Sequence, residues 1–307
     1  MRTRPDEGHA ADARGVFDAR YLAFLATIAE LRPSLHRYCA RMTGSVADGE
    51  DVVQEALFHA YQRLDTYDDA RPLEPWLFRI AHNRCVDFLR RRGVREDAEA
   101  FVDTDPTVWP DDPPGPALGR AVEHLVLALP PMERACVLLK DVLDHSLDEI
   151  ADLVGSTVGG VKAALHRGRA KLAALPVPAP PAPAATAVRD VDVLARYVER
   201  FNRRDWDGLR ELVRADARVR VADRFAGPLA DSGYFGRYAQ FATPLRLALV
   251  AVDGEPMLVA EYEERGVWTA RGLVRLLVRE GRVVEIADYK HCAWVLGAAG
   301  DVRRVGS

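Results

Sequence analysis

Asp51-Val-Val-Gln-Glu-Ala-Leu57, then Trp76-Leu-Phe-Arg-Ile-Ala-His-Asn83 and Asp87-Phe-Leu-Arg-Arg-Arg92, decide how this 307-residue chain is read. Val52, Val53, Ala56, Leu57, Ala60 and Leu64 recur every three to four residues, the period at which side chains share one face of an α-helix. Trp76, Leu77, Ile80, Ala81, Phe88 and Leu89 repeat the pattern after Pro75, whose fixed φ suits a first helical turn. Two amphipathic helices joined by the loop 66–74 are expected. The second is strongly basic, with Arg79, Arg84, Arg90, Arg91, Arg92 and Arg95 against a single acid, Asp87. Arg79, Asn83 and Arg90 fall near one face, where guanidinium groups can meet phosphates and an amide can read a base edge.

Working outward, the composition is that of a globular chain of two or three domains, with 49% hydrophobic residues. A formal net charge of −4 gives no overall attraction to nucleic acid, so the local distribution of charge decides. The charged N-terminus fits neither a signal peptide nor a spanning helix, and the expected location is the cytoplasm, with no membrane partner. Cys39, Cys85, Cys136 and Cys292 form no CxxC and read as buried, reduced thiols. His36 with Cys39 and His82 with Cys85 have helical i,i+3 spacing, but packing accounts for them, and neither metal nor cofactor is called for.

Two biased stretches divide the chain. Between 96 and 119 lie seven acids, five prolines and no Lys or Arg, the composition of a solvated linker. Residues 176–185 interleave five prolines with Ala and Val, a semi-rigid spacer. The expected organisation is a helical domain over 16–95, a linker over 96–117, a second helical domain over 118–175, a spacer over 176–186 and an α+β domain over 187–299.

In the second domain, Pro130-Pro131 opens a helix, and Ile150, Ala151, Val154, Gly155, Val161 and Leu165 have the spacing of a helix-turn-helix. Its second helix, 156–172, carries Lys162, Arg167, Arg169 and Lys171 beside His166 and no acid, whereas Asp148, Glu149 and Asp152 sit on the helix before it. The third domain opens with an amphipathic helix through Val193, Leu194, Tyr197, Val198 and Phe201 and a second over 206–213. Strands are expected at 245–252, 257–262, 273–278 and 283–289, with turns at Asp253-Gly254 and near Gly281. Helices followed by strands indicate an α+β sandwich.

The quoted stretches resemble region 2 of the sigma-70 family. Leu129-Pro-Pro-Met-Glu-Arg134, Ser146-Leu-Asp-Glu-Ile-Ala151 and Val161-Lys162 with Arg167 resemble its region 4. The order of the two, with no sizeable region 3, resembles the extracytoplasmic-function group of alternative sigma factors. The resemblance implies that Asp51, Gln54 and Glu55 contact core RNA polymerase. It implies that Trp76, Arg79, Asn83, Arg84, Arg90 and Arg91 engage the minus-ten promoter element. For the minus-thirty-five element the implied residues are Ser156, Thr157, Lys162, His166, Arg167 and Arg169. Gly160 and Ala164 depart from the family pattern, which commonly has a small polar residue and an arginine there.

Phe201-Asn-Arg-Arg-Asp-Trp-Asp207, Asp216 and Ile286-Ala-Asp-Tyr289 make the third domain resemble the cone-shaped SnoaL-like (NTF2-like) group. The fold class expected is multidomain, two all-α sigma domains followed by an α+β cone, with Tyr262, Trp268, Asp288 and His291 as candidate pocket residues for a small-molecule ligand. The function implied is a non-enzymatic initiation factor whose partners are core RNA polymerase and promoter DNA, regulated in cis by the third domain with a sign the sequence leaves open. Two rivals are a SnoaL-type enzyme using Asp288 and His291 as acid and base, and a regulator that uses the helix-turn-helix alone.

Overall fold

The computed structural model describes residues 7–68, 72–92, 126–174, 187–222, 224–241 and 243–305, giving the backbone alone over 7–20 and 187–190. Both expected linkers, 96–117 and 176–186, and the centre of the loop 66–74 lie outside the described residues. The first domain is built on α1 (Glu7–Thr43), α2 (Val46–Gln62) and α3 (Leu73–Arg91). Ser45 caps α2 by accepting the Asp48 amide. Where α2 crosses α1, a Cβ on Gly49 would lie 2.5 Å from the Ala40 Cα, so glycine alone allows that approach.

The second domain comprises α4 (Pro131–Val137), continued by a π turn at Leu138–Val142, then α5 (Leu147–Val154) and α6 (Val158–Ala174). Ser146 and Glu149 form a reciprocal capping box that starts α5, and Gly155, at φ 69°, ends it. The tight turn that follows produces the helix-turn-helix. The two helical domains share one apolar core, in which Leu35, Phe78 and Leu77 are continuous with Val137, Leu139, Ile150 and Leu165. Arg134 is buried at the join. Its guanidinium donates to the carbonyls of Met42 (2.5 Å), Leu127 (2.7 Å), Leu129 (3.0 Å) and Val126 (3.1 Å), satisfying the charge with backbone dipoles.

The third domain contributes α7 (Ala187–Asn202), α8 (Trp206–Leu212), the strands β1 (Val213–Val221) and β2 (Phe225–Pro228), the single turn α9 (Leu229–Ser232) and α10 (Tyr234–Ala239). Then follow β3 (Leu245–Val252), β4 (Glu255–Glu264), β5 (Val267–Arg279), β6 (Arg282–Asp288), α11 (Ala293–Gly297) and β7 (Val302–Arg304). They form a seven-stranded sheet in the order β2-β1-β6-β5-β4-β3-β7, antiparallel except for the β1–β6 pair.

Because side chains alternate across a sheet, its two faces build two cores. Leu258, Ala260, Val274 and Ile286 point inward against Tyr197 and Phe201 of α7 and Tyr238 of α10. Val250, Val252, Met257, Val259, Leu273 and Ala287 point outward, where α11 covers part of them. Ala40, Val46 and Ala47, at the corner between α1 and α2, complete that outer core. The third domain thus lies with the back of its sheet against the first.

Candidate functional site

Asp51, Gln54, Glu55, Phe58 and Tyr61 follow one another along a single face of α2 at three-to-four spacing. The C-terminal half of that face is open. Phe58 is 63% and Tyr61 45% exposed, and Leu22 and Leu25 of α1 are exposed as well. The Tyr21 and Tyr61 rings pack edge to face at 5.6 Å, tying the two helices into a common apolar surface. An exposed patch of large apolar side chains beside polar ones is the signature of an interaction surface.

The N-terminal half of the same face is covered by the sheet. Asp51 accepts both terminal nitrogens of Arg220 on β1, one at 2.6 Å, and the Tyr289 hydroxyl at 3.0 Å. Burial pushes the Asp51 carboxyl above its ordinary range, and Arg220 and Tyr289 only partly offset this. One turn earlier, Asp48 accepts Arg275 of β5 at 2.6 Å and Arg92 at 2.9 Å. Glu50, fully buried, accepts Arg32 at 2.5 Å and the Trp294 indole at 2.8 Å, and the Arg32 guanidinium lies 4.7 Å from the Trp294 ring centroid. Ser45 donates to Glu255 at 2.8 Å, and Arg41 donates to the Ala298 carbonyl at 2.7 Å. Gln54 is half-buried and donates to Glu50 at 3.3 Å, while exposed Glu55 pairs with Arg91 at 3.5 Å. The side chains that clasp α2 were not singled out from the sequence. The signal that could have found Tyr289 is alternation, since inward Asp288 leaves its neighbour facing outward.

On α3, Arg79, Asn83 and Arg90 are exposed on one face, with half-buried Trp76 at its start against the Tyr67 ring, centroids 4.6 Å apart. Arg90 pairs with Asp87 at 3.4 Å, an exposed contact that contributes little to stability and leaves its guanidinium available, while half-buried Arg84 lies 3.9 Å from the same carboxylate. On α6, Lys162 is exposed and makes no ion pair among the described residues. Arg167 is tied to Glu133 at 3.0 Å and Arg169 to Asp141 at 2.7 Å, so these two brace α6 against α4 and its π turn. His166 is exposed, and Thr157 caps α6 by accepting the Gly160 amide at 3.1 Å. A Cβ at Gly160 would lie 2.5 Å from the Ser156 hydroxyl, which a turn of the serine side chain would relieve.

The four candidate pocket residues do not converge. Asp288 is buried on the inner face, where its Oδ2 accepts the hydroxyls of Tyr238 (2.6 Å) and Tyr234 (3.0 Å) and its Oδ1 accepts the Lys290 amide (2.9 Å). Burial first, and then the adjacent carboxylate, raise both phenols well above their ordinary range. Tyr262 faces the same side, half-buried. Trp268 is on the outer face under the Arg246 guanidinium, 4.2 Å away, and His291 is exposed beyond the strand. A carboxylate so occupied is a structural acceptor rather than a poised base.

His36 and His82 are each engaged in packing. The His36 Nε2 is 2.8 Å from the Val46 carbonyl, and the His82 Nδ1 is 2.7 Å from the Tyr38 hydroxyl. All four cysteines are buried free thiols. Among the described residues no group of three or more His, Cys, Asp or Glu is placed to hold a metal ion, and no helix is long and apolar enough to cross a membrane.

Residues 27–95 match the family model of Sigma-70 region 2, and residues 119–172 match that of Sigma-70, region 4. The chain is 32% identical over 162 residues to the ECF RNA polymerase sigma factor SigW of Bacillus subtilis, covering 49% of this chain and 87% of that protein. The chain belongs to the ECF sigma factors. It is also 33% identical over 236 residues to the ECF RNA polymerase sigma factor SigG of Mycobacterium tuberculosis, a match that spans 65% of this chain and 61% of SigG. Among solved structures, the extracytoplasmic function sigma factor SigJ of Mycobacterium tuberculosis aligns with 86% of this chain and 95% of its own, at 22% identity and a TM-score of 0.34. In this ECF sigma factor, α2 and α3 fall within the region 2 match, and α4 to α6 lie in the region 4 match, which ends at residue 172 within α6.

Proposed function

We propose that the chain is an alternative sigma factor, working in the cytoplasm, that binds core RNA polymerase and directs promoter recognition and transcription initiation, and that its third domain regulates it in cis by occupying the polymerase-binding face of α2. The observation that carries this reading is the double character of that face. Gln54, Glu55, Phe58 and Tyr61 stand at its open end, while Asp51, in the stretch that resembles the family's polymerase contact, is clasped by Arg220 and Tyr289. The sign left open by the sequence is taken as inhibition, since a side chain cannot serve two partners at once. Promoter contacts are assigned to exposed Arg79, Asn83 and Arg90 with Trp76, Arg84 and Arg91 on α3, and on α6 chiefly to Lys162, with Ser156, Thr157, His166, Arg167 and Arg169 around it. Occupation of Asp288 by two tyrosine hydroxyls supports regulation over catalysis in the third domain.

Transcription in vitro with purified core polymerase and a promoter library tests the reading. Promoter-dependent transcripts that need this chain are the expected result, with more product from a chain ending at Leu175. Absence of promoter-specific product from both forms would remove the sigma assignment, and equal product from both would remove the inhibition.

A further inference from the structure

A pocket of about 410 Å³ opens on the third domain between α8, the starts of β1 and β6, and the α9–α10 turn. It is a site apart from Tyr262, Trp268 and His291, none of which lines it. Its walls include Val213, Leu229 and Phe235, and Arg210, Arg214 and Arg282 stand around it. No acidic side chain lines it. Arg210 and Arg214 are engaged by Asp207 and Asp216 on the exposed rim, and Arg282 makes no ion pair among the described residues. The Arg210–Asp207 pair is a single exposed contact that an incoming anion displaces at little cost, whereas Arg214 is held bidentately by Asp216, which leaves Arg282 and Arg210 to receive the anion. The volume is that of a small-molecule site, and apolar walls with arginines in the lining favour an apolar body bearing a carboxylate or phosphate.

The pocket is wired to the clasp on α2. Tyr234 lines it, and the Tyr234 hydroxyl donates to Asp288 at 3.0 Å. The next residue, Tyr289, points to the opposite face and donates to Asp51 at 3.0 Å. The strands β1 and β6 make the same connection, since each begins at the pocket, with Val213 and Arg282, and ends beside the clasp, with Arg220 and Asp288.

We propose that this pocket binds a small amphipathic anion and that occupancy changes the grip of Arg220 and Tyr289 on Asp51. The coupling rests on the inhibitory reading above, whereas the binding does not. Titration calorimetry on the full chain, without polymerase, uses octanoate as the probe, octanamide as its uncharged counterpart and inorganic phosphate as a head group without a body. Octanoate should bind about tenfold or more tightly than octanamide, the worth of a charge-assisted hydrogen bond, and more tightly than phosphate. Arg282→Gln, an exposed change, should erase most of the difference between octanoate and octanamide. No octanoate binding, equal binding of octanamide or of phosphate, or an unaltered preference in Arg282→Gln would overturn the pocket. Saturating octanoate should then shift the affinity of the full chain for core polymerase, and Tyr234→Phe should abolish that shift. If octanoate binds and polymerase affinity stays the same, the coupling is overturned and the pocket stands. A shift that survives Tyr234→Phe overturns the route through Asp288.

Discussion

Arg220→Ala isolates the clasp, because Arg220 lies outside the surface assigned to polymerase while its partner Asp51 lies within it. The two side chains are 24% and 25% exposed, so the pair is neither a surface bridge nor fully buried. Breaking a fully buried pair costs about 3–5 kcal/mol, and one partly hydrated, with the Tyr289 hydroxyl still in place, is worth about 2 kcal/mol. If the docked form predominates, apparent polymerase affinity is reduced by the fraction of molecules that are open. Weakening the docked form by that amount therefore tightens apparent binding by up to about 30-fold. Anisotropy of labelled chain titrated with core polymerase measures the change, and a thermal melt shows whether the third domain stays folded. An affinity within about twofold of the parent, with the melt unchanged, would refute the argument that Asp51 is withheld by this contact.

Other consequences concern the remaining surfaces. Asn83→Ala should relax selectivity at one promoter position, whereas Arg90→Ala should weaken open-complex formation across promoters and flatten its salt dependence, both read by footprinting at several ionic strengths. Lys162→Ala should reduce affinity for templates with an upstream element without changing the melt, while Arg167→Ala should lower stability as well, because Arg167 holds Glu133. The buried His82 is lowered to about 4 by desolvation, so its contribution is fully present above about pH 6.5 and is lost as pH falls through about 4. Denaturant titrations over that window should show a loss that includes about 3 kcal/mol from this group, and His82→Gln should remove that part.

The helices of the first two domains were legible because each combines a long apolar period with local punctuation. Pro75 and Pro131 stand in first turns, Gly155 takes a left-handed conformation after α5, and Ser146 with Glu149 spells the capping box that starts it. β1 was not legible as a strand. Val213 completes the apolar period of α8, and the alternation of Ala217, Val219 and Val221 with Arg218 and Arg220 begins only halfway along the strand. β7 carries three exposed residues, so no burial pattern marks it. The clasp was hidden for a different reason. Asp48 and Glu50 carry no signal in the sequence pattern, Asp51 stands in the stretch that resembles the polymerase contact, and only the fold brings Arg275, Trp294 and Arg220 to the three. The joining of the two helical domains was equally out of reach, since the partners of Arg134 are backbone carbonyls, which leave no trace in composition.

The acids of α2 also predict how the chain behaves without its third domain. Glu50 retains Arg32 at 2.5 Å and Asp48 retains Arg92 at 2.9 Å, both from within the helical part. Asp51 has no such second partner among the described residues, so removal of the third domain leaves the other two acids paired and turns Asp51 toward water. The apolar loss is small as well, because Ala40, Val46 and Ala47 are what the helices contribute to the outer core of the sheet. Exposing them costs about 3 kcal/mol at most, while the core running from Leu35 to Leu165 is untouched. A chain ending at Leu175 should therefore melt cooperatively at a somewhat lower temperature. It should also bind core polymerase at least as tightly as Arg220→Ala in the full chain. Differential scanning calorimetry with the same anisotropy titration tests both halves of the argument. A truncated chain without a cooperative transition would show that the third domain is structurally required by the helices it covers. A cooperative transition combined with weaker polymerase binding would show that docking supports the contact with polymerase, reversing the sign assigned to the clasp.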